Sequence, residues 1–400
     1  MSEISQQSVV PESVRDLFPD ELVTRLLALR RDLHQHPELS LQENRTAERL
    51  YDELSELQPK CLDRVFGTGI VAVMKGRDSG RPVVAVRGDI DALPIQEDTG
   101  VEWTSVNPGV MHACGHDVHA VWAIGAAHLL AARPAAGDVV VVLQPAEEIS
   151  QGAQGILESG ALAGVRAIFG GHADRRFAVG EVVAQAGPLA AASDRLDIEL
   201  LGRGAHGARP HEGRDPVVGL ANLINALQTI VSRRLNPAIP GVVTIGMVEA
   251  GNTHNVIPEK VVVKGTLRSM DAVTRNLLHT EVERITRSVG SAHDLETKVE
   301  IARGAPPLLN SEEAAGWACK AVTNVLGREA VVPLGFTNMA GEDFAFYLEQ
   351  ISGCFMRIGA REEDGRFIPG HSPKFYAADE SIFVGAAVLA ECVHVASAAL

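Results

Sequence analysis

The fold of this chain is decided by the stretch VVVVLQPAEE, residues 139–148. Its consecutive aliphatic residues predict a strand that is buried on both faces, as in a parallel sheet. Pro145 stops the strand, so two adjacent carboxylates, Glu147 and Glu148, follow directly after its end. Ligands bind outside the carboxyl ends of the strands in open α/β sheets, which makes this pair a candidate site. The alternative is a solvated pair that opens the next helix and interacts favourably with its dipole.

Composition limits the class of protein. The chain has 400 residues, 46% of them hydrophobic, which is enough for two domains. Its 36 basic and 51 acidic residues give a net charge of −15, which argues against nucleic acid and anionic membranes as partners. No apolar run approaches the roughly 18 residues needed to span a bilayer. Residues 1–20 are polar and acidic and do not have the pattern of a signal peptide.

The five cysteines are scattered along the chain and odd in number. A disulfide framework normally uses an even number of cysteines in a small secreted domain. We therefore expect free thiols and a cytoplasmic location.

Helical and strand patterns alternate along the first half of the chain. The predicted elements are helices over 11–58 (broken at 34–40), 117–130 and 152–159, and strands over 69–73, 83–87, 139–143 and 167–169. Asp117 is the expected cap of the second helix, and the last strand is expected to end at Gly170, Gly171 and His172. His34 and His36 are either metal ligands or part of a loop that ends a helix.

The pattern changes after Pro188. Apolar and acidic residues alternate over 196–200, which predicts a half-exposed antiparallel strand. The segments that follow complete a β-α-β-β-α-β order, which is the split βαβ arrangement. We therefore predict an inserted α+β domain over residues 188–300, between the two parts of a first domain, 1–187 and 301–400.

Side chains that bind metal ions gather at the predicted strand ends and loops of the first domain. They are Cys114, His116, Glu147, Glu148, His172 and His371. Imidazole, thiolate and carboxylate are the ligands that Zn²⁺ and similar ions accept. Each residue alone has an ordinary alternative, such as a small buried cysteine, a core histidine or a loop histidine. Their occurrence in four separate segments favours a metal site.

The Glu147–Glu148 pair suggests a reaction. One carboxylate can bind a metal while the other accepts a proton. Hydrolysis of an unreactive amide requires a metal-activated water beside a general base, which returns the proton to the leaving amine. The pattern therefore predicts metal-dependent amide hydrolysis.

Several motifs resemble the M20 family of metallopeptidases, within its aminoacylase-like amidohydrolase branch of hippurate and indoleacetyl-amino-acid hydrolases. They are RRDLHQHPE (30–38), DIDALP (89–94), MHACGHD (111–117), QPAEE (144–148), His172, the loop around His206 and His211, NVIPE (255–259), GTLR (265–268) and HSPKF (371–375). The resemblance extends from about residue 25 to the C-terminus.

The resemblance implies an α/β fold: a metal-dependent exopeptidase-like catalytic domain with a mixed sheet, plus an inserted α+β (split βαβ) satellite domain. It implies a two-metal site whose ligands are Cys114, His116, Glu148, His172 and His371. Cys114 would bridge the ions, where the wider family uses an aspartate. Glu147 would be the general base, and Asp91 or Asp117 would orient the ligands from behind.

The resemblance also assigns residues of the inserted domain. His206 matches a histidine that enters the site of a neighbouring protomer and stabilises the oxyanion, which implies a homodimer. Asn255 and Arg268 match positions that hold the substrate's carboxylate. Trp122 stands where relatives often have methionine, and it either narrows the acyl pocket or packs in the core.

The predicted function is a metal-dependent amidohydrolase that converts N-acyl-amino acids to a carboxylic acid and a free amino acid. Two divalent ions are expected. Mn²⁺ or Zn²⁺ is the preferred metal, and Co²⁺ and Ni²⁺ also suit these ligands. One alternative is a dipeptidase or carboxypeptidase on the same scaffold. Another is a catalytically silent binding protein, which the complete ligand set and the presence of Glu147 disfavour.

Overall fold

The computed structural model describes residues 11–400, and its helices and strands alternate over most of that length. The helices are α1 (Glu12–Arg15), α2 (Asp20–Gln35), α3 (Asn44–Ser55), α4 (His116–Ala132), α5 (Gly152–Glu158), α6 (Pro216–Thr229), α7 (Ala272–Ala292), α8 (Glu312–Leu326), α9 (Ala345–Leu348) and α10 (Ser381–Ala399). The strands are β1 (Cys61–Val65), β2 (Gly69–Met74), β3 (Val83–Asp89), β4 (Val139–Gln144), β5 (Val165–Ala178), β6 (Val182–Val183), β7 (Gly187–Ala190), β8 (Ala192–Leu201), β9 (Ala205–His206), β10 (Gly241–Ala250), β11 (Val256–Ile257), β12 (Lys260–Ser269), β13 (Glu296–Arg303), β14 (Leu308–Asn310) and β15 (Ser352–Arg361).

The first of two compact units contains the described residues up to Gly187, with Leu309–Gly335 and Phe346–Leu400. Its sheet has the order β1-β2-β4-β3-β5-β15-β6. The central strands β4, β3, β5 and β15 are parallel, while β1, β2 and β6 pair antiparallel with their neighbours. Every residue of β4 is buried, as the aliphatic run predicts. The α/β class with a mixed sheet is thus confirmed.

Helices α4 and α10 pack against each other and against this sheet. Both are apolar on nearly all faces, because they are core helices rather than surface helices. Close packing depends on Gly385, where a Cβ atom would lie 2.4 Å from the Trp122 ring. Trp122 is 1% exposed and its Nε1 donates to the Ser381 carbonyl at 2.8 Å, so this side chain packs in the core.

Helix α10 is long and apolar, but Glu391 and His394 interrupt it, which agrees with the prediction that no continuous apolar run approaches the length needed to span a bilayer. By length and composition alone, an 18-residue window of this helix could cross a membrane. Inside the folded unit, 72% of that window is buried. A buried core helix has the same apolar composition, and α10 is such a helix in this unit.

The second compact unit contains Pro188–Leu308 and Phe336–Ala345. Its antiparallel sheet has the order β10-β12-β8-β13, and helices α6 and α7 pack on it. Along β8, buried Leu196, Ile198 and Leu200 alternate with more exposed residues, and they form the core with apolar side chains of both helices. Asp215 caps α6 by accepting from the Val217 amide at 2.9 Å.

Two predicted boundaries are wrong. Helix α4 begins at His116, with Gly115 at the N-cap, so Asp117 lies inside the first turn and is not the cap. Strand β5 does not end at His172 but continues to Ala178. His172 therefore projects from the middle of a long strand, next to β15, and not from a loop.

Candidate metal centre

The turn after β4 positions the two neighbouring glutamates. Helix α5 begins only at Gly152, so Glu147 and Glu148 do not open it. Ala146, just before them, has φ = +55°, a left-handed conformation that costs a non-glycine residue about 1 kcal/mol. The buried carboxylate of Glu43 holds this turn, because it accepts from the Ala146 amide at 3.0 Å and from Thr68 Oγ1 at 2.7 Å.

The turn before α4 positions the next two ligands. Gly115 has φ = +84°, in the left-handed region that glycine adopts easily, and it separates Cys114 from His116. His116 Nδ1 donates to the Asp91 carbonyl at 2.9 Å and faces Asp91 Oδ1 at 3.1 Å. This fixes the tautomer, and the buried Nε2 lacks a hydrogen-bond partner among the described residues.

The predicted ligands lie together just beyond the carboxyl ends of β3 and β4, level with His172 in the middle of the longer strand β5. Cys114 Sγ is 3.2 Å from His172 Nε2. His116 Nε2 is 3.9 Å from both Glu147 Oε2 and Glu148 Oε1. His371 Nε2 is 3.5 Å from Glu148 Oε2. Three overlapping groups have ligand atoms within 4.8 Å of one another: Cys114, His116 and His172; Cys114, Glu148 and His371; and His116, Glu147 and Glu148.

The chemistry of these atoms fits a metal ion. His116 Nε2 and Glu148 Oε1 are both shielded from solvent without a protein partner, which is costly unless a cation binds there. Burial and the Glu148 carboxylate raise the pKa of the Cys114 thiol well above its ordinary value. Burial and the charge of Arg357 lower the pKa of His172 well below its ordinary value, so its imidazole is neutral. Its Nδ1 donates to the Ala173 carbonyl at 2.8 Å, so the lone pair of Nε2 faces Cys114 Sγ.

Asp89, His116 and His119 form another group of possible ligands within 4.8 Å of one another. Two of its members are already engaged by the protein. His119 Nδ1 donates to Asp89 Oδ1 at 2.7 Å, and His119 Nε2 accepts from the Ala173 amide at 2.8 Å. A metal ion bound through either ring nitrogen of His119 would displace one of these bonds, so the cluster around Cys114 is the better candidate.

Asp91 contacts two of the predicted ligands from behind. Besides facing His116, its carboxylate accepts from the Glu148 amide at 3.0 Å and from Ser40 Oγ at 2.7 Å. These hydrogen bonds orient the His116 ring and hold the backbone of the turn that contains Glu148.

Asp117, the other residue predicted to orient ligands, belongs to a different buried network. It accepts from Arg30 Nε at 2.9 Å and from His34 Nδ1 at 2.8 Å. Burial opposes ionisation of Asp117, but Arg30 and His34 hold the pKa of its carboxyl far below the usual range. His34 thus lies outside the cluster, and His36 ends α2 with its Nδ1 at 2.9 Å from the Asp32 carbonyl.

His371 comes from the loop between β15 and α10. Its φ of +61° is left-handed, and its amide donates to the Ala113 carbonyl at 2.8 Å, beside Cys114. The buried Arg175 of β5 ties this loop down by donating to the carbonyls of Ala360, Tyr376 and Arg366 and to Glu362 Oε2. Sequence reasoning missed Arg175 and Glu43, because an arginine in a strand and an acid before a helix have ordinary surface explanations.

His206 and Asn255 are neighbours in the second unit. His206 is exposed on β9, which pairs with β11, and the Gly207 amide donates to the Asn255 carbonyl at 2.7 Å. His206 Nδ1 accepts from the Ala208 amide at 3.0 Å, so the neutral ring carries its proton on Nε2 as an outward donor.

Arg268 lies far from that pair within the same unit. Strand β11 leads into β12 at Lys260, whereas Arg268 lies near the other end of β12, between Ser193 and Val242 of the adjacent strands. The segment from Lys260 to Arg268 is roughly 26 Å long at about 3.3 Å per residue. Arg268 therefore lies toward the opposite end of β12 from the strand pair that contains His206.

The cluster predicts a distinctive reactivity for Cys114. If Cys114 binds metal as a thiolate, bound metal should protect it from alkylation by iodoacetamide, and metal removal should make it reactive in strongly alkaline solution, because the pKa of the free thiol is raised. Peptide mass spectrometry would measure both states, with exposed Cys61 as the internal control that reacts in each. Cys114→Ala should fold and lower metal occupancy. A variant with full occupancy and full rate would show that Cys114 is only a buried core residue.

An α/β sheet with clustered imidazole, thiolate and carboxylate groups at its carboxyl edge is typical of metal-dependent hydrolases. Residues 85–394 match the sequence model of peptidase family M20/M25/M40, and the chain belongs to this family.

Relatives of known description agree with this assignment. The chain is 42% identical to an N-acetyl-L-cysteine deacetylase of Bacillus subtilis (strain 168), over 84% of this chain and 81% of that protein. It is 38% identical to an N-acyl-L-amino acid amidohydrolase of Geobacillus stearothermophilus, over 74% of this chain and 80% of that protein. A crystal structure from Bacillus subtilis described as a dinuclear metal binding peptidase of the M20 family is 34% identical, with a TM-score of 0.83, covering 96% of this chain and 100% of that one.

Proposed function

We propose that the protein is a metal-dependent amidohydrolase that cleaves the amide bond of N-acyl-amino acids, releasing a carboxylic acid and a free amino acid. The observation that carries this proposal is the buried cluster of Cys114, His116, Glu148, His172 and His371 with Glu147 beside it. The deacetylase and amidohydrolase names of two relatives support the substrate class.

The cluster would hold two divalent ions. We expect Mn²⁺ or Zn²⁺, with Co²⁺ or Ni²⁺ as alternatives. Cys114 belongs to one group with His116 and His172 and to another with Glu148 and His371, so it is the natural shared ligand. When bound, the ions lower the pKa of a water molecule and polarise the amide carbonyl.

The remaining residues divide the work of proton transfer and substrate binding. Glu147 takes the proton of the attacking water and returns it to the leaving amine. Asp91 keeps His116 in the tautomer that frees Nε2 and holds the Glu148 backbone. Asn255 and Arg268 are the proposed partners of the substrate's carboxylate. His206 Nε2 is the proposed hydrogen-bond donor to the oxyanion that develops on the amide carbonyl.

We propose a homodimer in which residues 188–300 act as the dimerisation domain. Strand β10 is an edge strand of the second unit's sheet, and it exposes Met247 and Val248. An apolar edge strand can pair with a second copy of the chain. The distance between His206 and Arg268 along β12 supports the same conclusion, because His206 and Asn255 would then complete the partner's site. The free thiols fit a reducing cytoplasm, the proposed location.

Metal removal tests the proposed function directly. Chelator treatment should abolish hydrolysis of N-acetyl- or N-benzoyl-amino acids, and added Mn²⁺ or Zn²⁺ should restore it. A panel with each metal, run against dipeptides in parallel, would distinguish an acylase from a dipeptidase or carboxypeptidase. Full activity in a preparation shown by elemental analysis to be metal-free would exclude the mechanism.

A further inference from the structure

Arg357 is a buried cation without a counter-ion. It lies in β15, where its neighbours in register are His172 of β5 and Val183 of β6. The residue is 7% exposed, and its Nε is shielded from solvent without a partner. Within residues 11–400, no carboxylate or carbonyl accepts a hydrogen bond from its guanidinium.

The other buried arginines in the described part of the chain all have anionic partners. They are Arg30, Arg87, Arg175 and Arg275, which pair with Asp117, Asp89, Glu362 and Asp194 respectively. A buried charge is costly unless it is paired and hydrogen-bonded. The exception at Arg357 therefore calls for an anion that comes from outside the chain.

Arg357 lies at the edge of the candidate metal centre. Paired residues of adjacent strands project from the same face of a sheet, so Arg357 and His172 share a face. His172 in turn contacts Cys114 at 3.2 Å.

We propose that Arg357 binds a carboxylate of the substrate or product beside His172. The guanidinium has two parallel N–H groups that match a carboxylate in a bidentate pair. The proposal rests on the proposed function, which supplies three sources of this group. They are the carboxylate of the amino acid, a second carboxylate on a dicarboxylic acyl group, and the carboxylate formed when the amide is cleaved.

The stability of Arg357→Met separates this role from a structural one. Methionine removes an unpaired buried charge and keeps an unbranched apolar side chain, so the melting temperature without added carboxylate should stay equal or rise. Arg166→Met is the matched control, because Arg166 is an exposed arginine of the neighbouring strand β5. Elemental analysis should find the same metal content in both variants and in the wild type.

Calorimetric titration of the metal-loaded protein with acetate, benzoate and succinate tests binding. Arg357→Met should bind at least one of them roughly 10–100-fold more weakly, the usual worth of a charged hydrogen bond. Arg357→Lys should recover part of the affinity, and Arg166→Met should match the wild type. Unchanged dissociation constants in Arg357→Met, or loss of metal from it, would overturn the proposal.

Substrate arms identify the source of the carboxylate. The kcat/KM loss in Arg357→Met should be confined to N-succinyl-amino acids if the acyl group supplies it. If the amino acid supplies the carboxylate, the loss should disappear with N-acetyl-amino acid amides. If the carboxylate is the one formed by cleavage, the loss should affect all substrates equally. If the wild type hydrolyses none of these compounds, the proposed function fails, while titration and melting still decide the role of Arg357.

Discussion

Replacing Glu147 with glutamine should lower kcat by roughly 10²–10⁴-fold while both metal ions stay bound, because the amide cannot accept the proton of the attacking water. The substitution keeps the size of the side chain and its position in the turn after β4. Single-turnover and steady-state rates, with metal content by elemental analysis, would measure the two effects separately.

Glu148→Gln is the matched control, one residue away. Glu148 Oε2 lies 3.5 Å from His371 Nε2, and its Oε1 is buried without a protein partner, so this side chain is placed to bind metal. Its substitution should weaken metal binding itself, and the loss of rate should follow the loss of metal. If both variants bind metal equally and only Glu148→Gln is inactive, the two roles are reversed.

Local patterns in the sequence predict the centre of the fold well. The aliphatic run of β4 is a buried strand because it contains no polar residue before Gln144. Strand β3 pairs in parallel with both β4 and β5, so the carboxyl ends of β3 and β4 lie beside His172 in the middle of β5. This arrangement explains why Glu148 and His172, which are distant in sequence, lie together, while the turn before α4 brings Cys114 to them.

The errors at two boundaries have physical causes. Gly170 and Gly171 are typical of a strand end, but β15 pairs with both and β5 continues through them. Aspartate is a common N-cap residue, but the carboxylate of Asp117 accepts hydrogen bonds from Arg30 and His34 and not from the backbone of α4. In both cases a tertiary contact outweighs a local preference.

The buried residues that hold the ligand-bearing turns in place could not be predicted from the sequence. Glu43 holds the Ala146 turn across 103 positions, and Arg175 holds the His371 loop from a strand nearly 200 positions earlier. Arg357 is the one charged residue within the apolar stretch 353–360 of β15, and its burial without a counter-ion depends on the three-dimensional environment. Local periodicity contains no information about such contacts, because they depend on which strands become neighbours.

The second large effect is expected at His206. Its Nε2 is placed as an outward donor because Nδ1 accepts from the Ala208 amide. Removing such a donor to a developing oxyanion typically lowers kcat on the order of 10²–10³-fold. His206→Ala should show that loss with unchanged metal content. His211→Ala, an exposed histidine of the same loop region, is the matched control and should remain active.

Complementation tests whether His206 acts across a dimer interface. Mixing inactive His206→Ala with inactive Glu147→Gln should produce heterodimers after subunit exchange. Each heterodimer has one site in which Glu147 of one chain meets His206 of the other, so activity absent from both parents should return. Size-exclusion chromatography with differently tagged chains would verify the heterodimer before the rate is measured. Verified heterodimers without activity, or a fully active monomer, would exclude the action in trans. The separation of His206 from Arg268 along β12 would then require another explanation, such as substrate binding by only one of them.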